Sequence, residues 1–319
     1  MAGDPKPGKT RILVLHYNGL DLLRECLPSV VEAARRSPVP CPVTVVDNGS
    51  TDGSLDYLAR DWPGIGVIRE PNRGLASFNA VLARIDEPAV LLLNNDVKLD
   101  PDAVGPLLAA LDAHPDALFA APQCWTFDGS EYEGMRTMVR SRFGLVQGMS
   151  RVPGHERWVD RPDLTAAAGP VLAVDRVRFL ALGGYDPIFF PGRIEDLDLG
   201  FRGWMAGWTG RYVPEALAYH RGFGSFGPAF GQKGCDRLAA RNTLIFAWKN
   251  LTGPRLLAHL LWLPARLLFA LAAWRVEFLL AFAEALARLG AVTRARRALL
   301  AGEAGWLGRQ EAFFRRFRW

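Results

Sequence analysis

Along the first two thirds of the chain, short apolar runs each end abruptly in polar side chains. Arg11–Leu15 stops at His16-Tyr17-Asn18-Gly19, and Pro42–Val46 stops at Asp47-Asn48-Gly49-Ser50-Thr51-Asp52-Gly53-Ser54. Gly66–Arg69 leads into Pro71-Asn72-Arg73-Gly74, and Val90–Leu93 delivers Asn94-Asn95-Asp96. Between these runs the apolar spacing is helical, as at Leu22, Leu23, Leu27, Val30 and Val31, then over Ser54–Arg60, then from Ser77 to near Arg84. Strands alternating with helices predict an α/β fold with a mostly parallel, Rossmann-like sheet. In such sheets the carboxyl ends of the strands line the ligand crevice, which would gather Asp47, Asn72 or Arg73, and Asp96 along one edge.

Further on, a helix is expected from Pro101 to Ala113 and a strand over Leu118–Pro122, after which residues 123–165 lose any period and read as a variable insert, a hairpin or a loop of the kind that contacts substrate. A strand at Val171–Val174 and a helix over Arg176–Leu182 restore order. Gly183-Gly184-Tyr185-Asp186 then leads to Phe189-Phe190 and to Glu195-Asp196-Leu197-Asp198, where Leu197, Phe201 and Trp204 put the three acids in a helix's first turn. Acids there either cap the helix or do chemistry. Strands at Gly210–Val213 and Ala216–Tyr219 end in His220, a structural histidine or a metal ligand, followed by a glycine-rich loop (Gly222, Gly224, Gly227) suited to folding over a ligand.

Length and charge bound the picture. The 319 residues suffice for one large α/β domain with an appendage, and the net charge of +5 comes largely from the last third. The division expected is a disordered tail over 1–10, a catalytic domain over 11–232 and a helical region over 233–319. Four widely spaced cysteines argue for free thiols, and the polar N-terminus for neither signal peptide nor anchor, so the cytoplasm is the expected compartment. From Leu256 to Leu289 the chain is rich in Leu, Ala, Phe and Trp but interrupted by charges, which argues against a spanning helix. Amphipathic helices in an anionic membrane interface fit better, supported by Trp262, Trp274, the cluster at Arg294, Arg296 and Arg297, and the Phe/Arg-rich residues 313–319. The other reading is a helical appendage packed on the catalytic domain or used for homodimerisation. Arginines interleaved with Leu and Trp at helical spacing do not suit nucleic acid.

Neither a G-x-G-x-x-G nor a P-loop pattern is present. The stretches at 16–19, 45–54, Asn72-x-Gly74 with Asn79, 91–96, 183–186, 189–190, 195–199 and His220 together resemble, in order and spacing over 11–224, the inverting glycosyltransferases of family 2 with the GT-A fold, in their rhamnosyltransferase-like branch. The resemblance implies a nucleotide-diphospho-sugar transferase fold and a nucleoside-diphosphate-sugar donor held by Tyr17, Asn18, Asp47, Ser50, Asp52, Asn72, Arg73 and Asn95. It implies a divalent cation, Mg²⁺ or Mn²⁺, on Asp96 and His220. Asp196 matches the catalytic base, with Glu195 as the neighbouring alternative. Gly169, Phe189, Phe190, Arg241 and Asn242 fall on the acceptor side. With Asn94 and Asn95 preceding it, Asp96 is the single acid at the metal position, so phosphate oxygens and water would supply most ligands. An inverting transfer is one displacement, needing a base for the acceptor hydroxyl and a positive charge for the departing diphosphate, and no protein nucleophile.

The function expected is metal-dependent transfer of a sugar to a glycan or lipid-linked glycan hydroxyl in cell-surface polysaccharide synthesis, at the inner face of the plasma membrane. A catalytically silent glycan-binding subunit and a sugar-phosphate nucleotidyltransferase are the alternatives. The latter would carry a Gly-rich basic loop where His16-Tyr17-Asn18-Gly19 stands.

Overall fold

The structure, a computed structural model, describes residues 9–222, 226–301 and 305–319. Strands and helices alternate through β1 (Thr10–His16), α1 (Leu20–Arg35), β2 (Val43–Asp47), α2 (Ser54–Asp61), β3 (Gly66–Arg69), α3 (Ser77–Leu82), β4 (Ala89–Asn94), β5 (Val97–Leu99), α4 (Val104–Ala113) and β6 (Ala117–Thr126). Four short strands follow: β7 (Tyr132–Gly134), β8 (Met138–Arg142), β9 (Leu145–Met149) and β10 (Asp163–Thr165). Then come β11 (Val171–Asp175), α5 (Arg176–Ala181), α6 (Glu195–Met205) and β12 (Thr209–His220). Five helices complete the chain: α7 (Phe226–Asn250), α8 (Gly253–Ala272), α9 (Val276–Ala287), α10 (Leu289–Leu300) and α11 (Trp306–Arg316). Most of the tail expected over 1–10, and Gly224 of the glycine-rich loop, lie outside the described residues.

The main sheet runs β10-β12-β6-β11-β4-β1-β2-β3. Its β3-β2-β1-β4 half is parallel, as the alternating pattern predicts. Here Val90–Leu93 are fully buried between helical layers, which is why the run is apolar on both faces. Beyond β4 the sheet becomes mixed. β11 lies antiparallel to β4 and β6, because it follows β6 through the insert with no crossover helix to reverse its direction. The two short strands expected near 210–219 are one, β12, with a register shift between Val213 and Leu217 where Pro214 has no N–H to give to the ladder.

A second core forms below α6. Phe189, Leu197, Phe201 and Met205 pack with Leu244, Ile245 and Phe246 of α7 and with Trp306, Phe313, Phe314 and Phe317 at the chain's far end. Phe201 stands edge-on to Phe313 at 5.0 Å between ring centres. The last residues thus serve as core rather than as a lipid-binding aromatic cluster. The boundary expected at 232 falls beside Gly231, whose φ of 61° breaks the helicity of α7.

The third acid of the α6 motif is the polar centre of this region. Asp198 is fully buried and accepts from Arg202 Nε (2.7 Å), Lys249 Nζ (2.8 Å) and Asn250 Nδ2 (2.8 Å). Lys249 also pairs with Asp186 at 2.6 Å, and Arg202 donates to the carbonyls of Leu182 and Gly184. These contacts tie α6, α7 and the 182–186 loop together, and the cations outweigh burial in holding the Asp198 carboxyl below its usual range.

α8 is 20 residues long with mean hydropathy 1.4, which by length and composition suffices to cross a membrane. That corrects the expectation from the interrupted run. Its charges are few and fall on one side. On that side Arg255 pairs with Glu311, His259 donates from Nδ1 to the Gly144 carbonyl, and Arg266 donates to the carbonyls of Arg142 and Phe143. The opposite face, with Leu257, Leu261 and Leu268, is exposed, and Phe143 at the tip of the β8–β9 hairpin packs on Trp262 beside it.

Candidate active site

The carboxyl ends of β1, β2 and β4 meet in a network of loop hydrogen bonds. Ser50 Oγ accepts from the Asn18 amide (2.9 Å), Asn18 Oδ1 accepts from the Thr51 amide (2.9 Å), and Asp52 Oδ2 accepts from the Leu20 amide (2.8 Å) at the start of α1. Asp52 also accepts from the Ser54 hydroxyl, and burial is outweighed by these bonds, so its carboxyl sits below the usual range. Asp47, buried at the end of β2, accepts from the amides of Gly49 and Ser50. Asn95 donates to Asn18 O and stands 2.9 Å from His16 Nδ1, while burial keeps His16 below its ordinary pKa and neutral. Asn18, Asp52 and Asn95, expected as donor ligands, therefore also clamp the turns that present Tyr17 and Asp47.

A cavity of about 520 Å³ opens at these strand ends. Of the residues expected at the site it collects Tyr17, Asn72, Asn95, Phe190, Glu195 and Arg241. Asp47 and Ser50 line a separate groove of about 370 Å³ with Arg69 and Glu70, and Arg73 borders a small pocket beside Phe190. Gly74 sits where its loop meets the Phe190–Pro191 turn: with φ +58° and Pro191 O 2.8 Å from where a Cβ would be, no other residue fits.

Three residues expected on the acceptor side are engaged elsewhere in the fold. Phe189 belongs to the second core. Asn242 is fully buried and its Nδ2 donates to the carbonyls of Phe189, Gly192 and Arg193, fixing the loop before α6. Gly169 packs on Met135, its amide 3.1 Å from the Met135 sulfur. Asn79 has a like role: its side chain bonds Gly183 O, Tyr185 O and Tyr185 N, which accounts for the paired motifs.

At the start of α6, Glu195 faces the cavity with Oε2 buried and without a hydrogen bond among the described residues. Asp196 is half-buried, is not in the cavity wall, and accepts from the Leu197 amide at 2.8 Å. Burial first, and then the Asp196 carboxylate, push the Glu195 carboxyl up to about 8; burial raises Asp196 as well. The adjacent charges cannot both form easily, so near neutral pH the pair holds a proton, resting chiefly on Glu195.

Asp96 and His220 are brought together from β4 and β12, with His220 Nε2 3.5 Å from Asp96 Oδ2. The partner that sequence reasoning missed is Glu133 of the aperiodic insert, whose Oε2 stands 2.8 Å from His220 Nδ1. A carboxylate on the far nitrogen orients a histidine toward whatever its other nitrogen faces. Burial works against protonation of His220, yet bonds to Asp96 and Glu133 prevail and raise it to about 9. Asp96 Oδ1 is buried and has no hydrogen-bond partner among the described residues. An orphaned carboxylate oxygen fits a cation, and His220 could join it as a ligand only on giving up its proton. Among the described residues no group of three or more His, Cys, Asp or Glu is arranged as a metal site.

The mixed α/β sheet, the cavity at its strand ends with Glu195 in its wall, and the Asp96–His220 pair brought together from β4 and β12 are the arrangement of a glycosyltransferase of the GT-A fold. The family model described as Glycosyl transferase family 2 matches residues 11–166, so the chain carries a domain of that family. It is 28% identical over 237 residues to N-acetylglucosaminyl-diphospho-decaprenol L-rhamnosyltransferase of Mycobacterium tuberculosis, covering 66% of this chain and 75% of the relative, and falls in the rhamnosyltransferase-like branch. The fold is similar to that of GalNAc-T7 solved with UDP, GalNAc and Mn²⁺ (TM-score 0.54, 20% identity, 66% of this chain and 43% of that one). It is also similar to the mannosyltransferase PcManGT from Pyrobaculum calidifontis with GDP-Man and Mn²⁺ (TM-score 0.51, 17% identity, 96% and 86%). The family 2 domain sets aside the nucleotidyltransferase and silent-subunit readings.

Proposed function

We propose that this glycosyltransferase moves a sugar from a nucleoside diphosphate to a hydroxyl of a lipid-linked glycan in cell-surface polysaccharide synthesis, with inversion. The observation that carries this reading is the cavity joining the strand ends to Glu195 of the α6 carboxylate pair. Tyr17, Asp47 and Ser50 hold the nucleotide, and Asn72, Arg73 and Asn95 border the sugar diphosphate. Asp96 and His220 would hold a divalent cation, which would supply positive charge against the diphosphate. Asp196, the ionised member of the pair, takes the acceptor hydroxyl's proton as the hydroxyl oxygen bonds to the anomeric carbon and the nucleoside diphosphate departs. Glu195, protonated, spares the site a second negative charge. Glu133 keeps His220 Nε2 turned to Asp96.

A screen of UDP-, dTDP- and GDP-sugars tests this. One donor is expected to raise Tm in the presence of Mn²⁺ or Mg²⁺ and to be consumed only when a lipid-linked acceptor is added. Equal stabilisation by every donor with no transfer rejects the reading.

Work on a lipid-linked acceptor places the enzyme at an anionic membrane surface on the cytoplasmic side. Support comes from the exposed apolar face of α8, the Phe143–Trp262 contact, and Trp274 and Arg275 on the α8–α9 turn. The protein is expected to float with anionic liposomes at low salt, and Leu261→Glu with Leu268→Glu to abolish flotation without changing Tm by more than a few degrees. Flotation unaffected by the double substitution removes α8 from that role.

A further inference from the structure

The cavity has two chemically unlike walls. One is formed by the strand-end amides and Glu195. The other, contributed by α7 and the α9–α10 junction, carries Arg237, Arg241 and Arg288 against Glu284. Arg241 is almost fully buried and spends Nε on Asn242 and Nη2 on the Phe190 carbonyl, leaving Nη1 3.6 Å from Glu284. Arg237 has its Nε buried without a hydrogen bond among the described residues, 3.3 Å from Glu284. Arg288 reaches the carbonyls of Ile188 and Phe190 from the same side. Three guanidiniums facing Glu284, with Glu277 3.7 Å from Arg237 as a second carboxylate, leave an excess of positive charge in a concave, part-buried wall. Burial, with the charge of Arg288, holds Arg241 down at about 10.

Guanidinium forks match paired phosphate oxygens, and several together suit a diphosphate better than a lone carboxylate. Asp96 and His220 are not in this cavity's wall, so the arginines form an anion site separate from the cation pair. Apolar Leu238 and Phe230 line the same cavity, and exposed Leu280 lies between Glu277 and Glu284 on the α9 face paired with Arg237. We propose that Arg237, Arg241 and Arg288 bind the diphosphate of a lipid-linked acceptor, placing the first sugar toward Glu195 and the lipid toward Leu238 and Leu280. This rests on the lipid-linked acceptor reading and names the group that reading leaves without a partner.

The test uses the full chain in EDTA with farnesyl diphosphate as probe and farnesol as control. Farnesyl diphosphate is expected to bind at least about tenfold more tightly than farnesol. Arg237→Gln, which gives up only glutamate contacts, is expected to weaken it by about 10–100-fold, whereas Glu284→Gln, which removes the opposing charge, strengthens it. The stabilisation by nucleoside diphosphate with Mn²⁺ stays at the wild-type value in both variants. Equal binding of farnesol and farnesyl diphosphate overturns the proposal, as does an Arg237→Gln loss that falls on the nucleoside diphosphate instead. Because binding is read without donor or metal, it upholds the subsite even where no donor sugar is transferred, and failed binding beside normal transfer overturns the subsite alone.

Discussion

Asp196→Asn is expected to lower kcat by about 10²–10⁴-fold, the range lost with a general base, while donor and Mn²⁺ still raise Tm as in the wild type. The variant keeps the size of the side chain and the oxygen that accepts the Leu197 amide, so the start of α6 is preserved and the change falls on proton transfer. Glu195→Gln is the companion measurement. Its amide resembles the protonated acid that burial and Asp196 favour, so activity near pH 7 is expected to stay within about tenfold of wild type. In the wild type, raising the pH through about 8 ionises Glu195 and adds a negative charge beside the base, bending the kcat/KM profile; in Glu195→Gln that bend disappears. If Asp196→Asn turns over near normally and Glu195→Gln does not, the two residues have exchanged roles, as the cavity position of Glu195 permits.

Asp198→Asn, two residues further on, is expected to act on stability instead, costing about 3–5 kcal/mol in urea or thermal unfolding. It leaves Arg202 and Lys249 buried with only Asp186 as counter-charge. The sign with pH follows from the depressed carboxyl. Its folded pKa lies below the ordinary 3.8, so the stabilisation is full above that value and drains away as pH falls through the folded pKa. The gap between variant and wild type should therefore be widest near neutrality and narrow in acid. A variant as stable as wild type at pH 7 would mean that the Asp198 cluster does not hold α6 to α7.

The same three acids show what could be read without a structure. That they open a helix followed from Leu197, Phe201 and Trp204; that one faces the cavity, one is half-exposed and one anchors a buried ion cluster did not, because the difference lies in Lys249 and Asn250, about fifty residues away. The β1–β4 half was legible since each strand and its following turn are local patterns. β11 was visible as a strand but not as an antiparallel one, since direction depends on how the aperiodic insert returns. Glu133 carried no signal at all: it sits in a three-residue strand and matters only because β12 brings His220 to it. Phe189 and Asn242 stand beside the site but turn inward, where burial and carbonyl hydrogen bonds satisfy them.

The packing of Phe201 on Phe313 has a consequence for the order in which the enzyme comes into being. A ribosome releases β1 to β4 early, and their local crossovers can close while synthesis continues. The helix bearing Glu195 and Asp196 has no such freedom: α7 covers part of its apolar face, and the rest stays open until Phe313, Phe314 and Phe317 emerge. Nascent chains stalled short of residue 313 should hold a folded nucleotide half and a sticky, unseated α6, so that the acid pair is set in place last.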